Sequence, residues 1–220
     1  VKPFKPPVPI ATNSLIGLCV LVELAAQILG PLLSMQLDFA FGLVPARVVA
    51  AITGKAALVP ALMTLVTHMF LHAGWLHLGL NMLFLAWVGR YVEWIAGRWA
   101  LVGIFIIGGI AGGVLQVVMS TASMTPVVGA SGAIAAVFGT YAMVLGSSRA
   151  EPRKILGMHF SGEMLTSLWY AATWIGLQLL TGAAFKAGTG GVDIAIWTHI
   201  GGFLAGLAAG RLWGRGPQIR

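Results

Sequence analysis

The chain has 220 residues, of which 58% are hydrophobic and only 9% charged, and its mean hydropathy is +0.92. A soluble domain carries roughly a quarter charged residues, so a water-covered globule is excluded, and the length suits one domain. The net charge of +7 is not gathered into a basic run or stripe, which argues against a nucleic-acid partner.

Residues 1–10, VKPFKPPVPI, read as a Pro-rich cytoplasmic tail rather than a signal peptide, so the first apolar segment is expected to be retained. A membrane span needs about 20 mostly apolar residues. Six segments qualify: 11–33, 74–94, 100–120, 127–147, 165–185 and 194–213. Cys19, the single cysteine, lies in the first and is expected to be inert there. Some 40 rather apolar residues join the first two segments, and they are expected to lie in or on the outer leaflet against the bundle. The 30 glycines and 8 tryptophans fit helices packed closely in lipid, with Trp at the interfaces. The fold class is therefore an all-α membrane protein, a six-transmembrane-helix bundle with its core over 11–213 and a basic tail over 214–220.

Lys and Arg set the direction. With the N-terminus inside, the inner side holds Lys2, Lys5, Arg90, Arg98, Arg149, Arg153, Lys154, Arg211, Arg215 and Arg220, against Arg47, Lys55 and Lys186 outside. This bias predicts that both termini are cytoplasmic.

Three polar clusters interrupt the apolar spans: His68, His72, His77 and Asn81; Ser131 between Gly129 and Gly132; and His199. Intramembrane polar groups are costly and point to function. The second, fourth and sixth spans all run from outside to inside, and His77, Ser131 and His199 fall near the start of each, hence at one depth below the outer surface. From Ser131, a stripe of small residues continues through Ala135, Gly139, Ala142 and Gly146, and from His199 through Gly202, Gly206 and Gly210. Two such stripes permit close approach, which predicts that Ser131, a nucleophile, reaches His199, its general base. His77 and Asn81, one helical turn apart, share a face and can donate to an oxyanion together with the Ser131 backbone N–H. Taken singly, Ser131 reads as a packing residue and His199 as a helix-interface hydrogen-bonder; their shared depth favours catalysis.

The pattern resembles the rhomboid family of intramembrane serine proteases. The resemblance rests on His77–Asn81 in the second span, Gly129–Ala130–Ser131–Gly132 at the fourth, and His199 with Gly202 and Gly206 in the sixth. His68 and His72 fall on the family's upstream histidines and Glu93 on its acidic residue ending the second span. The resemblance implies a Ser–His dyad, no cofactor and no metal, and single-span membrane-protein substrates with a small residue before the cut and a helix-weakening segment nearby. The compact core suggests an integral protein of a bacterial inner membrane, though a six-span core fits an organelle as well. Two family features are missing. Ala135 stands where an aromatic residue usually stacks on the histidine, so either another ring such as Trp197 or Phe138 holds His199, or the imidazole is less constrained and the enzyme slower. The Trp-Arg pair common in the first loop is absent.

His68 and His72 are expected to be structural, pinning the first loop; Glu93 is expected to form an interfacial charge cluster with Arg90 or Arg98. Asp193 is the one acid near His199 in sequence. A zinc protease would need the Glu of H-E-x-x-H, which HMFLH lacks, and a nucleophile elbow would need Gly where Ala133 stands. A non-catalytic rhomboid-like scaffold that binds membrane clients is the remaining alternative.

Overall fold

In the computed structural model, residues 7–146, 151–155, 157–162, 164–166, 168–170, 172–176 and 195–213 are described. The chain runs through α1 (Ile10–Leu29), α2 (Pro31–Phe41), α3 (Pro45–Ile52), α4 (Leu58–Thr67), a 3-10 turn (His68–Phe70), α5 (Trp75–Ala96), α6 (Arg98–Met119) and α7 (Ser131–Gly146). A hairpin of β1 (Arg153–Ile155) and β2 (Met158–Phe160) follows, and α8 (Ile196–Trp213) ends the described chain. Residues 162, 164–166, 168–170 and 172–176 are helical. They cover the start of the expected fifth span; its remainder, from 177, lies outside the described residues, as does Asp193.

Among the described residues, α1 and α6 are long and apolar enough to cross a membrane, and the pair Leu58–Phe70 and Trp75–Ala96, bent by 80°, makes a third if counted as one span. The first segment is shorter than its apolar run of 11–33. Gly30, at φ 87, ends α1, and Pro31 starts α2 at its first turn, where a missing N–H costs nothing. The long connection is three short helices rather than an extended loop, with α3 and α4 packed on α6. The hairpin has no forerunner in the sequence reading.

At the centre lies α7, packed on α8, α6 and α5. Ala133, Ile134, Ala135, Ala136 and Val137 are all fully buried, as expected of a helix that is apolar all round. Its small residues set the spacing to α8. A Cβ at Gly202 would collide with the Gly132 carbonyl, one at Gly206 with the Ala136 carbonyl, and one at Gly139 with the Phe203 carbonyl. The Thr140 hydroxyl crosses the same seam, donating to Gly206 O at 3.0 Å.

Glu93 does something other than the expected pairing with arginine. Its carboxylate accepts from Ala11 N (2.9 Å), Thr12 N (2.8 Å) and Thr12 Oγ1 (2.8 Å). The two N–H groups belong to the first turn of α1, which the helix cannot satisfy itself, and a negative charge there also suits the helix dipole. The end of α5 thus anchors the start of α1.

Candidate active site

Ser131 is the first residue of α7 and His199 the fourth of α8. The glycine-spaced seam brings the helices close, and Ser131 Oγ lies 2.7 Å from His199 Nε2. His199 is only 5% exposed, and its Nδ1 has no hydrogen-bond partner among the described residues. As the opening residue of α7, Ser131 keeps a backbone N–H that the helix does not use; the first turn bond, Ile134 N to Ala130 O, is 2.8 Å.

The strand-like approach to Ser131 is clamped from two sides. Leu43 and Val127 exchange a pair of backbone bonds, Leu43 N to Val127 O at 3.0 Å and Val127 N to Leu43 O at 2.8 Å. On the other side, Gly129 N donates to His68 O at 2.9 Å and Ala130 N to His72 Nε2 at 3.4 Å. His68 Nδ1 in turn donates to Thr64 O at 2.8 Å. The two upstream histidines were expected to pin the first loop. His68 does tie itself to α4, but both also hold the backbone that presents Ser131.

Gly129 has φ 126, where a side chain is strained, and a Cβ there would stand 2.7 Å from His77 Cε1 and 3.8 Å from Ser131 Oγ. The bare Cα is therefore what lets the His77 ring lie beside the Ser131 hydroxyl. His77 also packs on His72, with ring centroids 5.3 Å apart, and its Nδ1 accepts from Ala73 N at 3.3 Å. Asn81, 6% exposed, donates from Nδ2 to His77 O at 2.9 Å. Gly132 packs against Thr198, the neighbour of His199.

The ring beside His199 is Trp174, at 6.5 Å between centroids and 79° between planes. It is buried, and it rests on Phe138 (5.4 Å) and Phe84 (5.1 Å). Phe138 thus supports His199 at one remove, and Trp174 was not foreseen. Its only trace in the sequence is the aromatic spacing of the fifth segment, which does not tell which face turns toward α8. Cutting this ring away should loosen the imidazole. Trp174→Ala is expected to lower kcat about tenfold with little change in KM, since orientation rather than binding is lost, while Trp174→Phe keeps most of the rate.

Among the described residues no group of three His, Cys, Asp or Glu side chains is placed to hold a metal ion. The family model for the Rhomboid domain matches residues 60–216, a stretch that holds His68, His72, His77, Asn81, Ser131, Trp174 and His199. No curated protein matches the chain.

Proposed function

Because the chain belongs to the rhomboid family and is an integral membrane protein, we propose that it is an intramembrane serine endopeptidase that cleaves transmembrane protein substrates near the outer face of the membrane. The observation that carries this reading is the 2.7 Å contact between Ser131 Oγ and His199 Nε2, made by residues of two apolar helices. As Ser131 Oγ bonds to the scissile carbonyl carbon, its proton passes to His199 Nε2. Negative charge on the carbonyl oxygen meets the Ser131 N–H, with His77 and Asn81 as side-chain donors. His199 Nε2–H then protonates the leaving amine, and a water activated by the same nitrogen releases the acyl group. Gly129, Gly132, His68 and His72 act as supports, Gly202 and Gly206 as the close seam.

The surroundings proposed for this chemistry are the six-span bundle with both termini cytoplasmic, in the inner membrane of a bacterium. No cofactor takes part. Family members that do not cut exist, but a scaffold has no need of a nucleophile and base in hydrogen-bond contact.

The test is cleavage of a single-span model substrate in vesicles by wild type and Ser131→Ala. Cleavage is expected from wild type alone; undiminished cleavage by Ser131→Ala would sink the mechanism. His77→Ala and Asn81→Ala are each expected to lower kcat by about ten- to a thousand-fold with unchanged thermal unfolding. A rate equal to wild type in either variant removes that residue from the oxyanion site.

A further inference from the structure

A cavity of about 590 Å³ opens between α8, α7 and the residues 161–175. Its walls are apolar, among them Met164, Leu168, Phe203, Leu204 and Leu207. Met164, Leu168 and Leu204 are about half exposed, so the groove opens sideways, where lipid would lie. Trp174 and His199, whose rings lie 6.5 Å apart, line it together with Ser161 and Arg211. Arg211 follows His199 by twelve residues on one helix, a rise of about 18 Å. That is close to the hydrocarbon depth of a single leaflet, about half of the ~30 Å core.

Charge selects between the long apolar molecules that fit such a groove. Arg211 is exposed and belongs to the basic side of the chain, where Arg149, Arg153, Lys154, Arg211, Arg215 and Arg220 outnumber Glu151 and Glu163. A transmembrane peptide carries its own basic residues on that side and would set like charges together. An anionic phosphate would meet an arginine with complementary charge and geometry.

We propose that this groove binds an anionic phospholipid of the leaflet on the basic side. One acyl chain lies along Leu207, Leu204 and Phe203 toward Trp174, and the phosphate sits on Arg211 with the Ser161 hydroxyl as a second donor. Lipid binding at Arg211 does not require the Ser131 chemistry and holds for a cutting or a non-cutting bundle.

Native mass spectrometry of the full chain, released from phosphatidylcholine vesicles containing phosphatidylglycerol, reads the site directly. Wild type is expected to retain one phosphatidylglycerol, about fivefold in preference to phosphatidylcholine, as one basic residue at an anionic surface provides. Arg211→Gln should lose that preference while still retaining a lipid, and Leu204→Trp, which fills the groove from its exposed edge, should retain none. Thermal unfolding checks that both variants are folded. Equal retention of the two lipids by wild type overturns the proposal, as does unaltered retention in both folded variants. Displacement of the lipid by an equimolar single-span peptide also overturns it, by making the groove a peptide surface.

Discussion

His199→Ala is expected to lower cleavage of a single-span substrate by about 10⁴-fold or more, the scale on which removing the base from a serine–histidine pair acts. The geometry gives the reason. Ser131 Oγ lies 2.7 Å from His199 Nε2, and an alcohol that keeps its proton is a weak nucleophile. The His77 ring also lies beside Gly129 and Ser131, but its Nδ1 accepts from Ala73 N, which leaves the ring proton on Nε2 and suits its proposed task of donation. Reaction of Ser131 with a fluorophosphonate should slow in parallel, because that reaction needs the same deprotonation. Parallel measurement of both rates checks this, with thermal unfolding to show that the bundle is intact. Retained phosphonate reactivity in a folded His199→Ala variant would mean that Ser131 is activated by something else.

Gly206→Val is expected to lower the cleavage rate at least about 100-fold although position 206 never meets substrate. A misplacement of about 1 Å at a reacting pair costs this much, and here the cause is plain. A Cβ at Gly206 would run into the Ala136 carbonyl, and the clash is with backbone, so no rotamer change relieves it. α8 must move off α7, and Ser131 and His199 separate with their helices. Overpacking of this kind also destabilises by about 1–3 kcal/mol, so Tm in detergent should fall along with the rate. Gly79→Ala is the control, since nothing lies within 4 Å of a Cβ there; it is expected to keep rate and stability. Equal loss in both variants would show a general sensitivity of glycines rather than a seam that sets the Ser131–His199 distance.

Contacts that follow from helical period were legible in the sequence. Facing Ser131 and His199 needed only the runs of small residues three or four positions apart. Contacts that depend on how a helix is rotated, or on which loop meets which, were not. Trp174 stands 25 residues before His199 with no charged residue beside it to mark it, and its role follows from the way Phe138 and Phe84 seat it. Glu93 has Arg90 and Arg98 as near neighbours, so a local pairing was the natural expectation. Its partners at Ala11 and Thr12 lie 82 and 81 residues away. His72 likewise pairs with Ala130 across 58 residues, a contact created by the 80° bend between α4 and α5. That bend turns on a short break, 71–74, whose angle no hydrophobic pattern encodes. The hairpin at 153–160 has strands of three residues each, too short for an alternating pattern to declare itself.

Titrating the protein in vesicles with a fluorophosphonate, while following both substrate cleavage and the modified peptide by mass spectrometry, tests the central claim most directly. Cleavage should fall in proportion to the adduct on Ser131, reach zero at one equivalent, and show no adduct in Ser131→Ala. Cleavage that persists with Ser131 fully modified, or an inactivating adduct at any other residue, would contradict the account.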